Sequence, residues 1–227
     1  RKKMRQWMIK ITAFAEQLLR GLDEVDWPEA TKTAQREWIG RSEGAYVDFA
    51  IDGHDAKVQV FTTRPDTLWG ATYLVLAPEH PLVDAITAGG QRDAVTAYQR
   101  RAAARSEKDR QADKAKTGVD TGARATNPVN GARVPVYVAD YVLVGYGTGA
   151  IMAVPGHDTR DWEFARAMGL PIVEVISGGD VTRAAHTGEG VMVNSGDFSG
   201  TPTAGREAVR TVIAWVEAQG FGRGAVT

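Results

Sequence analysis

Apolar residues recur at helical spacing near the start of the chain. Across residues 3–20 (KMRQWMIKITAFAEQLLR), Met4, Trp7, Met8, Ile11, Phe14, Ala15, Leu18 and Leu19 predict one amphipathic helix, and Gly21 is expected to end it. The stretch DEVDWPEATKTAQREWIG reads as a polar connector carrying Trp27 and Trp38. From Ala45 the pattern changes to short strands: AYVDFAID, a turn at Gly53, KVQVFTT ended by Pro65, then TYLVLAP. Residues 91–116 are different. They are helix-forming and heavily charged, with Arg100, Arg101, Arg105, Lys108, Arg110, Lys114 and Lys116 offset by Glu107, Asp109 and Asp113. They read as an exposed helix, a surface facing nucleic acid being the alternative. Strands resume at RVPVYVADYVLVGYG and AIMAVP, a helix DWEFARAM closes at Gly169 and Pro171, and PIVEVI and VMVNS are read as further strands. TAGREAVRTVIAWVEAQG forms a final amphipathic helix. Many short strands among helices predict a barrel-like or mixed α+β core, not a doubly wound sheet.

Composition narrows the chemistry. The 227 residues are 43% hydrophobic, enough for one domain with a sizeable core and some extension. Twenty-seven basic against 28 acidic residues leave a net charge of −1. Such a balance suits contact with a nucleic-acid end better than a grip on a long duplex. The absence of cysteine excludes disulfides, thiol nucleophiles and thiolate metal sites. No apolar run approaches the roughly 18 residues of a membrane span, and the basic start RKKMRQWMIK lacks the apolar stretch of a secretory signal. A cytoplasmic setting without membrane contact is expected.

Three patterns mislead. Gly40-Arg41-Ser42-Glu43-Gly44 matches the G-x-S-x-G of serine hydrolases, whose mechanics need a strand before the serine and a helix after it; here the strand-like AYVDFAID follows. Gly145-Tyr146-Gly147-Thr148-Gly149 resembles a dinucleotide fingerprint but leads into a strand, so it reads as a connection, or as a place where a ligand approaches the backbone. His54, His80, His157 and His186 form no pair at ligand spacing, so no metal is expected.

Two polar segments could carry chemistry. In Thr62-Thr63-Arg64-Pro65-Asp66-Thr67, Pro65 extends Arg64 and Asp66 can cap a following turn. The segment is either a threonine-rich strand end or a row of hydroxyls lining a pocket. In Val154-Pro155-Gly156-His157-Asp158-Thr159-Arg160-Asp161, Asp158 is a plausible N-cap with Asp161 in the first turn. The helix N-terminus favours negative charge, so Asp161 is expected to be ionised at neutral pH and able to hold an ammonium group.

With these segments in view, WIGRSEGA, TTRPDTLWG, KTGVDTG, NPVNG, VPVYVADYVLVGYGTGAIMAVPGHDTRDWEFA and VNSGDF each resemble bacterial leucyl-tRNA synthetase, in the family's order. The family's HIGH and KMSKS motifs are absent, so the chain looks like the connective, editing insertion with flanking segments. Residues 1–37 would be a flanking helix and connector, and 38–227 the editing domain with a C-terminal linker. The resemblance implies an α+β fold with a β-barrel-like core and peripheral helices, and hydrolysis of mischarged tRNA(Leu). By motif, Asp161 would bind the substrate α-ammonium, and Thr62 and Thr63 would line the reacting ester. Thr67 would exclude leucine by size, Met152 and Val154 would wall the side-chain pocket, and Arg64 and Arg160 would assist the tRNA end. The backbone around Leu143 and Tyr146 would receive the terminal adenosine, and His157 and Asp158 are carried as substrate-binding candidates. The implied partners are that adenosine with its wrong amino acid and the remaining synthetase domains.

The chemistry is coherent. One methylene separates apolar side chains by only about 1–3 kcal/mol, the aminoacyl-tRNA synthetases being the standard case, so a second, rejecting site is needed. An aminoacyl ester is already activated, and positioning water and binding the oxyanion can suffice without a protein nucleophile, metal or cofactor. Two other readings stay open at this point: a serine hydrolase using Ser42, and a non-catalytic tRNA-binding module.

Overall fold

The computed structural model describes residues 5–106, 109–110, 116–145 and 147–226. They fall into two compact units, one within Arg1–Glu43 and Val226–Thr227, the other Gly44–Ala225.

In the first unit a 3₁₀ turn (Ile11–Phe14) leads into α1 (Ala15–Glu24), followed by α2 (Glu29–Ile39). The single helix over 3–20 is therefore corrected. Residues 5–10 carry no regular structure, Met4 lies outside the described residues, and Gly21 sits inside a helix that runs on to Glu24. Glycine costs a helix interior about 1 kcal/mol, which the buried Leu22 beside it outweighs. The polar connector is also corrected, since α2 occupies most of it. That helix has no buried residue and is tied by ion pairs (Arg36 to Asp23, 2.9 Å; Lys32 to Glu29, 3.6 Å), so an apolar period could not announce it.

The second unit is built on β1 (Glu43–Ile51), β2 (Lys57–Thr62), β3 (Tyr73–Leu76), β4 (Val119–Thr126), β5 (Arg133–Val138), β6 (Ala150–Ala153) and β7 (Gly222–Val226). The strand order is β2-β1-β4-β5-β3-β6, with β7 on β1. β3 runs parallel to β5, and the other registered pairs are antiparallel. Among the described residues the hydrogen-bonded path stays open between β2 and β6, although these end strands lie side by side. The expected α+β architecture with peripheral helices forms, and the sheet expected to be barrel-like is open. Two apolar clusters follow from strand alternation. Val47, Phe49, Val58, Val60, Leu74, Leu76 and Met152 fill the main core. Tyr73, Val75 and Ala153 point the other way, onto Phe164 and Ala165.

Helices α3 (Leu82–Ile86), α4 (Arg92–Ala103), α5 (Thr159–Met168) and α6 (Glu207–Gln219) surround the sheet. α5 ends at Gly169, and α6 begins inside its expected segment. Of the charged stretch 91–116, Glu107, Lys108, Asp113 and Lys114 lie outside the described residues. Arg110 is not exposed as expected. Its guanidinium is buried, donating to the Asp140 carbonyl (2.8 Å), the Val142 carbonyl (3.1 Å) and Glu79 (2.7 Å). Residues 139–145, two of whose carbonyls accept these bonds, do not continue β5 as a strand. PIVEVI and VMVNS likewise form only isolated bridges, Ile176 to Met192 and Val191 to Pro202, the Val175 and Ile176 amides being diverted to His157. β4 and β7 are not legible in the sequence, because their mixed small and charged residues carry no strong alternation. No described helix is long and apolar enough to cross a membrane.

Candidate active site

The threonine-rich segment forms a buried 3₁₀ turn, Pro65–Gly70, leaving β2. Pro65 occupies the first turn, where its missing N–H costs nothing. Asp66 does not cap the turn as expected. Fully buried, its carboxylate receives Arg64 through Nε (3.0 and 3.2 Å) and Nη2 (2.9 Å). The pairing satisfies a charge that burial would otherwise penalise heavily. Thr67 is bound twice to the Arg64 carbonyl, through its amide (3.0 Å) and its hydroxyl (2.8 Å). Its methyl is the part left to set a steric limit. Thr62 Oγ1 accepts the Arg64 amide (3.0 Å) and keeps its own proton to donate, while Thr63 is exposed. The hydroxyls thus first shape the turn.

Gly44 explains the misleading serine motif. A Cβ there would stand 2.1 Å from the Thr62 carbonyl, so only glycine lets β1 meet the end of β2. Gly40 ends α2 with a left-handed φ of 64°. Ser42 is therefore preceded by a helix and followed by a strand, the reverse of a nucleophile elbow.

The second segment closes against the first. The Thr72 amide donates to the Ala153 carbonyl (3.1 Å), and a Cβ on Gly70 would stand 3.1 Å from Val154. Asp158 is the N-cap of α5, its Oδ1 accepting the amides of Arg160 (2.8 Å) and Asp161 (3.1 Å). Asp161, 6% exposed, accepts the Val154 amide at 2.8 Å through Oδ2. Its carbonyl accepts the Tyr73 hydroxyl at 2.9 Å. Phe164, one turn further on, stacks on Tyr73 with ring centres 5.2 Å apart, which seats the helix.

Burial changes the charge expected of Asp161. Desolvation, reinforced by the neighbouring Asp158 carboxylate, pushes its pKa up to about 7 against the pull of the Val154 amide and Arg160. The expectation of a fully ionised carboxylate at neutral pH is corrected: the helix terminus does not offset the loss of water.

His157 is also recast. Nε2 accepts the amides of Val175 (2.9 Å) and Ile176 (3.1 Å), which can only donate, so the ring proton lies on Nδ1, 2.9 Å from the His186 carbonyl. Burial lowers its pKa, in keeping with a neutral ring. Both nitrogens are engaged within the fold, so the ring acts as a strut behind the site.

Met152 and Val154 are nearly buried in the main core cluster beside Leu68 and Trp69. Arg160 is exposed at the mouth of α5, with Nη2 3.6 Å from Asp158. Leu143 lies half-buried in the β5–β6 connection, and Tyr146 lies outside the described residues. Clefts of about 320 Å³, lined by Ala165, Arg166 and Leu170 among others, and 230 Å³, beside Tyr98 and Arg105, are separate from these groups. Among the described residues no cluster of three or more His, Asp or Glu side chains could hold a metal ion. Tyr73 is concealed in the sequence within an apolar strand, and Asn127 in NPVNG carries no local signal of its long-range bond to Leu68.

Comparison with known proteins agrees with this arrangement. A family model described as the editing domain of leucyl-tRNA synthetase matches residues 36–217. A leucine–tRNA ligase of Nocardia farcinica (strain IFM 10152) is 58% identical over 241 aligned residues, covering all of this chain and 25% of that protein. The chain thus spans about a quarter of the length of the curated relative it matches. The crystal structure of the ternary complex of Agrobacterium radiobacter K84 agnB2 LeuRS with tRNA and LeuAMS superposes with a TM-score of 0.72 at 34% identity, over 98% of this chain and 25% of that one. This chain belongs to the leucyl-tRNA synthetase editing-domain family.

Proposed function

We propose that this domain performs post-transfer editing, hydrolysing the ester that joins a wrong amino acid to the 3′ adenosine of tRNA(Leu). The observation that carries the reading is a buried carboxylate, Asp161, held by the amide of Val154, whose side chain lies against Gly70 at the end of the turn that bears Thr67. An arriving α-ammonium stabilises the ionised form of Asp161, exchanging an unfavourable buried charge for a paired one. Binding therefore selects aminoacyl groups and fixes the ester by its α-carbon. Water attacks the ester carbonyl, the bond to the ribose oxygen breaks, and that oxygen takes a proton. Thr62 and Thr63 supply hydroxyls toward the developing oxyanion or the water.

The substrates are norvalyl-, isoleucyl- and similar tRNA(Leu), with Met152 and Val154 walling the side chain and the Thr67 methyl refusing leucine. Arg160 and Arg64 attract the tRNA end, and the backbone around Leu143 and Tyr146 receives the adenosine. Asp158 serves the site by capping α5. Residues 1–37 join the domain to the remaining synthetase domains, which supply most of the tRNA grip. The near-neutral charge of this chain supports that division.

The test is deacylation by the full-length synthetase carrying this segment. Norvalyl- and isoleucyl-tRNA(Leu) are hydrolysed and leucyl-tRNA(Leu) is spared. Equal rates on all three, or none on any, defeats the proposal.

A further inference from the structure

The turn that carries Thr67 is also held by two asparagines from a distant part of the chain. Asn127, fully buried at the end of β4, donates through Nδ2 to the Leu68 carbonyl at 2.9 Å. Asn130 donates to the next carbonyl, that of Trp69, at 3.4 Å. The orientation of the Asn127 amide is fixed, because its Oδ1 receives the Val129 amide (3.3 Å) and an N–H can only donate. Its own backbone is fixed as well, its N–H donating to the Ala132 carbonyl and its carbonyl accepting from Gly131, both at 2.8 Å. A rigid NPVNG turn therefore reaches across to the Leu68–Trp69 peptide, one residue beyond Thr67. Thr67 itself donates, through its amide and its hydroxyl, to the Arg64 carbonyl within its own turn.

We propose that Asn127, assisted by Asn130, is the specificity-determining positioning residue that sets how far Thr67 projects into the substrate pocket. This rests on the reading of Thr67 as the leucine gate. A one-methylene distinction needs the blocking methyl to be placed within a fraction of an ångström, and a turn held only by local bonds would yield to the cognate side chain. Asn127 meets no reacting group, so its loss acts on selectivity more than on chemistry.

The experiment compares Asn127→Asp, Asn130→Ala and Thr67→Ala in the full-length synthetase, using leucyl- and norvalyl-tRNA(Leu). Aspartate keeps the acceptor for Val129 but sets an oxygen against the Leu68 carbonyl, forcing the turn to move. Asn127→Asp is expected to raise leucyl-tRNA deacylation at least about fivefold, chiefly by lowering KM for the cognate ester, while norvalyl-tRNA hydrolysis falls less than about threefold. Asn130→Ala shifts the ratio the same way by a smaller factor and decides the matter if Asn127→Asp does not fold. Unchanged leucyl-tRNA hydrolysis, or a parallel fall on both substrates, overturns the proposal. Should Thr67→Ala itself spare leucyl-tRNA, the gate reading fails first. Should Thr67→Ala leak while the folded asparagine variants do not, only this inference fails.

Discussion

The Asp161 carboxylate lies 2.8 Å from the Val154 amide, so the first turn of α5 and the end of β6 are joined through the very group assigned to the substrate ammonium. The same carboxylate is 6% exposed and has Asp158 as its near neighbour. Its position is thus secured while its charge is unfavourable, a combination that favours function over stability.

Replacing Asp161 by Asn should separate these effects. The folded carboxyl holds its proton up to about pH 7, against 3.8 as the ordinary value, so the folded state binds more protons than the unfolded chain between those limits. Stability is then greatest below pH 3.8 as far as this group is concerned, and is lost as pH rises through 7. At pH 8 the neutral Asn variant, which still accepts the Val154 amide, is expected to be more stable by on the order of 2–4 kcal/mol in urea unfolding. Deacylation should fall about tenfold to a hundredfold or more, since a charge-assisted hydrogen bond of about 1.5–3 kcal/mol is lost with the orientation it gives. A destabilised or fully active Asn variant contradicts the assignment.

Asp158→Asn tests the electrostatic cause. Asparagine caps helices as well as aspartate does, so the amides of Arg160 and Asp161 stay satisfied while one negative charge disappears. The Asp161 titration midpoint, followed by carboxyl NMR, should move down from about 7. The acid limb of norvalyl-tRNA deacylation should move with it. A midpoint that stays put means burial alone sets the value.

Thr67→Ala removes the methyl and the hydroxyl bond to Arg64 together. The full-length enzyme is expected to gain hydrolysis of leucyl-tRNA(Leu), by about ten- to a hundredfold for a relieved clash of roughly 1–3 kcal/mol. If hydrolysis of every substrate declines together, Thr67 serves the turn alone.

His157 should govern acid stability of the segment behind the site. Removing its ring strands the buried Val175 and Ile176 amides, and His157→Ala is expected to cost on the order of 2–4 kcal/mol. Because burial lowers its folded pKa below 6.5, its contribution is present above that value and is lost as pH falls through the folded one. Thermal unfolding at pH 7.5 and 5.5 checks the sign: acidification should harm the wild type more than His157→Gln, which cannot titrate. Arg64, His186 and Glu174 face the same ring, so the comparison is made with these intact.

The sequence alone determined the features that depend on neighbours along the chain. Val47, Phe49, Val58 and Val60 alternate in their own strands, Asp158 caps the helix that begins beside it, Gly169 ends that helix, and the family is legible in contiguous motifs. Whatever rests on distant partners was decided by the tertiary structure. α2 is tied by ion pairs and has no apolar period, and β4 and β7 are strands because β5 and β1 pair with them. His157 became a strut once Val175, eighteen residues on, turned its amide toward the ring. Asp161 shows the division most plainly. Its place in a first turn could be read from Asp158 three residues earlier, but its proton affinity could not, because removal from water is a property of the packed fold and not of the segment.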